Sequence, residues 1–182
     1  MQVVIFSLVL VAGVIGGDVA PHCSKPLDMG KPCKGDKPSI KYHFDAATMT
    51  CLAFEYTGCG GNENRFDSDS QCWKECLPID HINCPAGSKP LKKPESCTNQ
   101  IDKECGSSGY CNFGSHTGIC CDSKIRDKVD KDYNPKCPKG KKVMKTIDGG
   151  IPTTRLGKNC KSKHCPKDAK CIEGTYFATC CI

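Results

Sequence analysis

The chain has 182 residues, 18 of them cysteine. A cysteine content this high marks a disulfide scaffold in an oxidising compartment rather than a cytosolic fold built on a large apolar core. The net charge of +6 is carried by lysine, with arginine only at Arg65, Arg126 and Arg155. That balance implies solubility and a weak attraction to acidic glycans or matrix. With no basic helix and no aromatic-interleaved patch, it excludes nucleic acid as the expected partner.

In chain order, Met1 to Gly17 carry no charged side chain. The apolar run from Val3 to Ile15 is too short to cross a bilayer core of about 30 Å as a helix. Gly16 and Gly17 close it, and Asp18 begins the polar chain. Residues 1–17 are predicted to be a signal peptide cleaved near Gly17, which makes the mature protein secreted and extracellular. No later apolar run is long enough to span a membrane.

The cysteines fall into three sets of six. Each set predicts its own stapled module, because units this small need covalent support. Each bond contributes about 2–4 kcal/mol on the loop-closure argument, so the protein is expected to be heat-stable and sensitive to reductant.

The first set is Cys23, Cys33, Cys51, Cys59, Cys72 and Cys76, and spacing alone leaves 15 pairings open. Ile40-Lys41-Tyr42-His43-Phe44 and Leu52-Ala53-Phe54-Glu55-Tyr56 alternate apolar and polar, as half-buried strands do. Ala46 to Met49 would turn them into a twisted hairpin. Ser68-Asp69-Ser70-Gln71 fits a capping box, which predicts a helix from Asp69 to Cys76 with Cys72 and Cys76 on one face.

A linker from Leu77 to Asn83 leads to the second module, residues 84–121, with Cys84, Cys97, Cys105, Cys111, Cys120 and Cys121. Residues 122–136 alternate Lys and Asp without an apolar period, and are predicted to be an exposed, flexible, charged linker. The third module, residues 137–182, holds Cys137, Cys160, Cys165, Cys171, Cys180 and Cys181. The last two modules repeat each other. Each opens with Cys-Pro-x-Gly-x-Lys and closes on the same cysteine spacing into a Cys-Cys pair. The third differs by a longer loop, Val143 to Asn159, in which Asp148-Gly149-Gly150 signals a hairpin turn. Short strands and turns are all that such segments predict.

The first set sits among Phe54-Glu55-Tyr56-Thr57-Gly58-Cys59, Gly60-Gly61-Asn62-Glu63-Asn64-Arg65-Phe66, Ser68 and Cys72-x3-Cys76. This stretch, residues 18–77, resembles the Kunitz/BPTI serine protease inhibitor domain. The resemblance implies an α+β fold, a twisted hairpin plus a short C-terminal helix, followed here by two loop-rich, short-strand cysteine-rich modules. It implies the pairing Cys23–Cys76, Cys33–Cys59 and Cys51–Cys72, and a structural role for the Asn64 amide. It further implies reversible inhibition of trypsin-like serine proteases. Lys34, the residue after the second cysteine, would enter the acidic primary pocket, and Lys34–Gly35 would be the reactive bond. Cys33, Gly35, Asp36, Thr57, Gly58 and Cys59 would frame that anchor. The two repeats resemble lustrin-type cysteine-rich repeats. The whole is similar to secreted nematode Kunitz proteins of the cuticle and moulting type, which points to proteases and components of the extracellular matrix as partners.

Three features depart from the family pattern. The first two cysteines stand one residue further apart than usual, the second and third two residues further apart, and the two extra residues of that second interval fall within Lys34 to Pro38. Thr57 replaces a usual glycine and is expected to bulge the protease-facing surface. Lys34-Gly35-Asp36 also reads as the tripeptide of integrin-binding loops, whose carboxylate reaches a receptor metal ion. A scaffold that has lost inhibition is a third reading. Catalytic motifs are absent: none of His22, His43, His81, His116 and His164 lies in a nucleophile or zinc-protease pattern. His164-Cys165 and the Cys-Cys pairs read as disulfide chemistry rather than zinc. The chain is therefore read as a non-enzyme with no cofactor, no metal and no N-glycosylation sequon.

Overall fold

The computed structural model describes residues 19–78, 81–92, 95–98 and 102–182. The expected signal peptide lies outside them. Strands β1 (Lys31–Pro32), β2 (Ser39–Asp45), β3 (Thr50–Tyr56) and β4 (Gly58–Cys59) precede helix α1 (Asp69–Cys76). β2 and β3 form the expected antiparallel hairpin, from Ser39 opposite Tyr56 to Asp45 opposite Thr50. Ser68 caps α1, its Oγ accepting from the Gln71 N–H at 3.0 Å. Gln71 Oε1 reaches back to the Asp67 N–H, one residue short of the cap itself.

Disulfides Cys23–Cys76, Cys33–Cys59 and Cys51–Cys72 staple this module. Tyr42, Phe44, Ala53 and Phe66 pack around the bridges to form its core. Asn64, only 2 % exposed, joins the hairpin to the N-terminal segment. Its Oδ1 accepts from the Phe44 N–H, and its Nδ2 faces the carbonyls of Cys23, Lys25 and Phe44. A short buried amide thus satisfies backbone groups that no ladder serves.

The alternation in β3 predicts a half-buried strand, yet Thr50 to Phe54 are all buried. The reason is tertiary. Leu52, on the face turned away from α1, packs against Val129, Leu156 and Phe177 of the C-terminal half.

The repeats fold alike. The second module has β5 (Ser96–Cys97), β6 (Gly109–Phe113) and β7 (Gly118–Asp122), in the order β5-β7-β6. After helix α2 (Ser123–Tyr133), the third has the hairpin β8 (Lys145–Asp148) and β9 (Ile151–Thr154). It ends with β10 (Leu156–Gly157), β11 (Lys170–Glu173) and β12 (Ala178–Cys181), ordered β10-β12-β11. In both modules the last strand is central. Both also join their first cysteine to the sixth, second to fourth and third to fifth: Cys84–Cys121, Cys97–Cys111, Cys105–Cys120, and Cys137–Cys181, Cys160–Cys171, Cys165–Cys180. Gly149 and Gly150 have φ of 57° and 83°, the doubly left-handed turn a two-residue hairpin requires.

The segment predicted to be a flexible linker is instead α2. Asp122 caps it by accepting from the Lys124 N–H at 2.8 Å. Ile125, Val129 and Tyr133 recur every four residues, an apolar stripe hidden among Lys and Asp. Asp132 is buried, and its carboxylate accepts from the backbone N–H groups of Thr175, Tyr176 and Phe177 at 2.6–3.1 Å. The carboxylate ties α2 to the third module, while Val129 packs with Leu52 of the first and Arg126 stacks on Tyr110 of the second.

The first and third modules also meet through polar contacts. Lys158 Nζ lies 2.5 Å from Asp45 Oδ2. Asp148, on the β8–β9 turn, accepts from the Ser70 N–H and Oγ at 2.7 and 2.6 Å. Beside this contact the Asp69 carboxyl is pushed up to about 6, by burial first and by the Asp148 charge second. Asp148 is held low by the Ser70 hydroxyl and stays charged.

A carboxyl raised from 3.8 to about 6 favours folding when protonated, so its share of stability is lost as pH rises through that window. His43 and His164 act in the opposite sense, since burial lowers both and their contribution fades as pH falls. The Asp69 effect is isolated by comparison with Asp69→Asn. The variant is expected to gain on the order of 2 kcal/mol at pH 7, with the gain vanishing near pH 4. Unfolding curves of both proteins from pH 4 to 7 check this, and a pH-independent difference would remove Asp69 as the source.

Candidate functional site

The loop after β1 holds the longest run of exposed residues in the first module. β1 and β4 pair, with Lys31 opposite Cys59 and Pro32 opposite Gly58. The Cys33–Cys59 bridge ties the residue after β1 back to the strand end of β4, with its Cα atoms 5.7 Å apart. From Lys34 to Ser39 every residue is exposed, so Lys34 and Gly35 stand at the head of a convex loop rooted on that bridge. Gly35 has φ of 102°, and open space surrounds the position its Cβ would take. Its constraint is therefore conformational rather than steric.

Asp36 and Gly58 define how the loop sits on its base. Asp36 Oδ2 lies 3.4 Å from Cys33 Sγ and 3.9 Å from Cys59 Sγ, so the carboxylate covers the disulfide. At Gly58, φ 127°, an added Cβ would come within 3.1 Å of Asp36 Cβ and 3.3 Å of Cys33 Sγ. The lengthened loop thus folds back onto the bridge. Thr57 is half-buried, and both its N–H and Oγ1 donate to the Met29 carbonyl, each at 2.9 Å. The hydroxyl expected to raise the surface turns inward and ties the base of the loop to the segment entering β1.

Two further residues hold the frame. The Arg65 guanidinium lies 4.2 Å from the centroid of the Tyr56 ring. Arg65 Nη1 and Tyr56 Oη both donate to the Gly60 carbonyl, at 2.8 and 2.9 Å. The sequence carries both in its motif but gives no sign that they meet, because a stacked pair nine residues apart leaves no periodic trace. Together these groups fix the strand leaving the bridge.

The loop offers an ammonium group, a carboxylate and an exposed peptide backbone. All eighteen cysteines lie in disulfides. The buried His164 is lowered to about 4 by burial, and its Nε2 lies 3.1 Å from the Ala178 carbonyl. Its neighbour Cys165 is bonded to Cys180, so this group has no thiolate to offer a metal.

A disulfide-rooted loop over a hairpin and a capped C-terminal helix defines a Kunitz inhibitor module. The family model of the Kunitz/Bovine pancreatic trypsin inhibitor domain matches residues 22–77. The similarity extends well beyond that module. Major allergen Ani s 1 of Anisakis simplex is 36% identical, covering 96% of this chain and 94% of its own. The BPTI/Kunitz inhibitor domain-containing protein C02F12.5 of Caenorhabditis elegans is 33% identical over 87% of this chain and 88% of its own. Over 58 residues, 32% of this chain, the Kunitz-type serine protease inhibitor homolog dendrotoxin K of Dendroaspis polylepis polylepis is 45% identical and covered to 70%. The chain belongs to the Kunitz/BPTI family of serine protease inhibitors. No helix among the described residues is long and apolar enough to cross a membrane.

Proposed function

We propose that the protein is a secreted, reversible inhibitor of trypsin-like serine endopeptidases, acting through Lys34–Gly35 in the extracellular matrix. The observation that carries this reading is the exposed Lys34 beside a bridge that Asp36 and Gly58 pack against. A loop held in this way loses little conformational freedom on entering a protease cleft. Lys34 would extend into the primary pocket and pair with its acidic floor. Cys33, Gly35, Asp36, Thr57, Gly58 and Cys59 form the surrounding frame. The disulfide-bound state of every cysteine supports an extracellular setting.

The placement of Asp36 favours this reading over integrin binding. A ligand for a receptor metal ion needs its carboxylate projecting outward. Here Asp36 Oδ2 rests on the Cys33–Cys59 sulfurs. The test is titration of trypsin with the full oxidised chain, followed by mass spectrometry of the inhibitor. Tight inhibition with a slowly cleaved, slowly released Lys34–Gly35 bond supports the proposal. Rapid turnover as a plain substrate, or no inhibition by the folded chain, would sink it.

A further inference from the structure

Charge is unevenly divided along the chain. Residues 22–77 hold seven Lys and Arg against eight Asp and Glu, while residues 137–182 hold ten against three. The inhibitory module is close to neutral, so protease recognition leaves the basic character of the third module unexplained.

Backbone pairing gathers five of those lysines at one end of β12. Lys142 exchanges both backbone hydrogen bonds with Ile182, at 2.7 and 2.9 Å. Cys181 pairs with Val143 on one side and with Lys170 on the other, so Lys142 and Lys170 flank the end of the same strand. Two strand spacings separate their backbones, roughly 10 Å. Lys139 lies in the turn closed by the Lys141 N–H on the Pro138 carbonyl at 2.9 Å. Lys167 lies in the turn closed by the Ala169 N–H on the Pro166 carbonyl at 3.1 Å. Lys141 Nζ donates to the Asp168 carbonyl at 2.9 Å and fastens these two turns together.

Lys139, Lys142, Lys167 and Lys170 are all exposed. Among the described residues none of their ammonium groups meets a carboxylate within ion-pair distance. Asp168 is the acidic side chain of this edge.

We infer that this edge of the third module is a docking surface for a sulfated glycosaminoglycan chain. Charges spaced near the physiological screening length of about 8 Å add their fields rather than acting singly. Lysine is a compact, strongly hydrated point charge that suits successive sulfate and carboxylate groups on a polysaccharide. A lipid surface would call for apolar side chains among the lysines, and Ile182 alone serves that role at this edge. The more exposed Ile147 and Ile151 stand near the tip of the β8–β9 hairpin, where Asp148 binds α1. The surface belongs to a different module from Lys34, so a matrix-held chain keeps its inhibitory loop free. The inference shares the extracellular setting of the proposed function but requires no inhibition.

The test is binding of the full oxidised chain to immobilised heparin at 0.15 M salt. One variant carries Lys139→Gln, Lys142→Gln, Lys167→Gln and Lys170→Gln, leaving Lys141 to hold the turns. A control removes the same charge elsewhere through Lys89→Gln, Lys103→Gln, Lys124→Gln and Lys128→Gln, all exposed positions. The first variant is expected to bind at least about tenfold more weakly, and the control within about twofold of the parent. Equal losses in both would reduce the effect to net charge and overturn the inference. So would undiminished heparin binding by the first variant, or binding to phosphatidylserine vesicles in place of heparin. Circular dichroism establishes that each variant is folded. Trypsin inhibition, measured in parallel, is expected to be unchanged and reports separately on the Lys34 loop.

Discussion

Replacing Lys34 by alanine is expected to weaken inhibition of trypsin by about 5 kcal/mol, a loss of roughly several thousandfold. The size follows from position. Lys34 is the exposed side chain next to the Cys33–Cys59 bridge, where a convex loop would concentrate contact at the centre of the interface. Truncating it removes the ammonium group and leaves the acidic floor of the primary pocket desolvated without a partner. Lys34→Arg keeps a cation of adequate reach and should stay within about tenfold of the parent. Lys34→Leu should lose trypsin and gain an enzyme whose pocket is an apolar slot. Inhibition constants for the three variants against both enzymes decide the matter. If Lys34→Ala inhibits as well as the parent, the anchor lies elsewhere and the substrate-like mechanism fails.

The first module was largely legible because its signals are local. The β2–β3 hairpin announces itself by alternation, and α1 by the Ser68-to-Gln71 capping pattern, whose partners lie within one helical turn. Legibility failed where the deciding contact was distant. The outer face of β3 looks solvent-facing until Leu52 meets Val129, Leu156 and Phe177. Helix α2 was hidden because its stripe of Ile125, Val129 and Tyr133 is only three residues wide. The buried charge that secures it, Asp132, resembles the exposed ones around it until the backbone of residues 175–177 arrives. At the loop, the tripeptide Lys34-Gly35-Asp36 supports two readings. The contact of Asp36 with a bridge formed across 26 residues favours the inhibitory one, and spacing cannot convey it. The disulfide order of the two repeats was likewise open, although their likeness was plain, because pairing depends on which strand becomes central.

Asn64→Ala is expected to lower stability by about 4 kcal/mol, because a single amide serves a whole cluster of buried backbone groups. The side chain is 2 % exposed and serves one buried donor, the Phe44 N–H, and the carbonyls of Cys23, Lys25 and Phe44. Alanine leaves these groups without a partner inside a module too small to repack around them. Asn64→Asp should be at least as damaging. It keeps an acceptor for the Phe44 N–H but turns the two donors into an oxygen facing three carbonyl oxygens. The melting temperature of the oxidised chain should fall by roughly 10 °C for alanine and no less for aspartate. A drop under about 1 kcal/mol would show that the hairpin and N-terminal segment are held by their disulfides alone. Inhibition at 25 °C should change much less than stability, within about tenfold, because the loop rests on the β1–β4 pairing and the Cys33–Cys59 bridge rather than on Asn64. On that division, position 34 can be exchanged to change the target without disturbing the amide that ties the hairpin to the N-terminal segment.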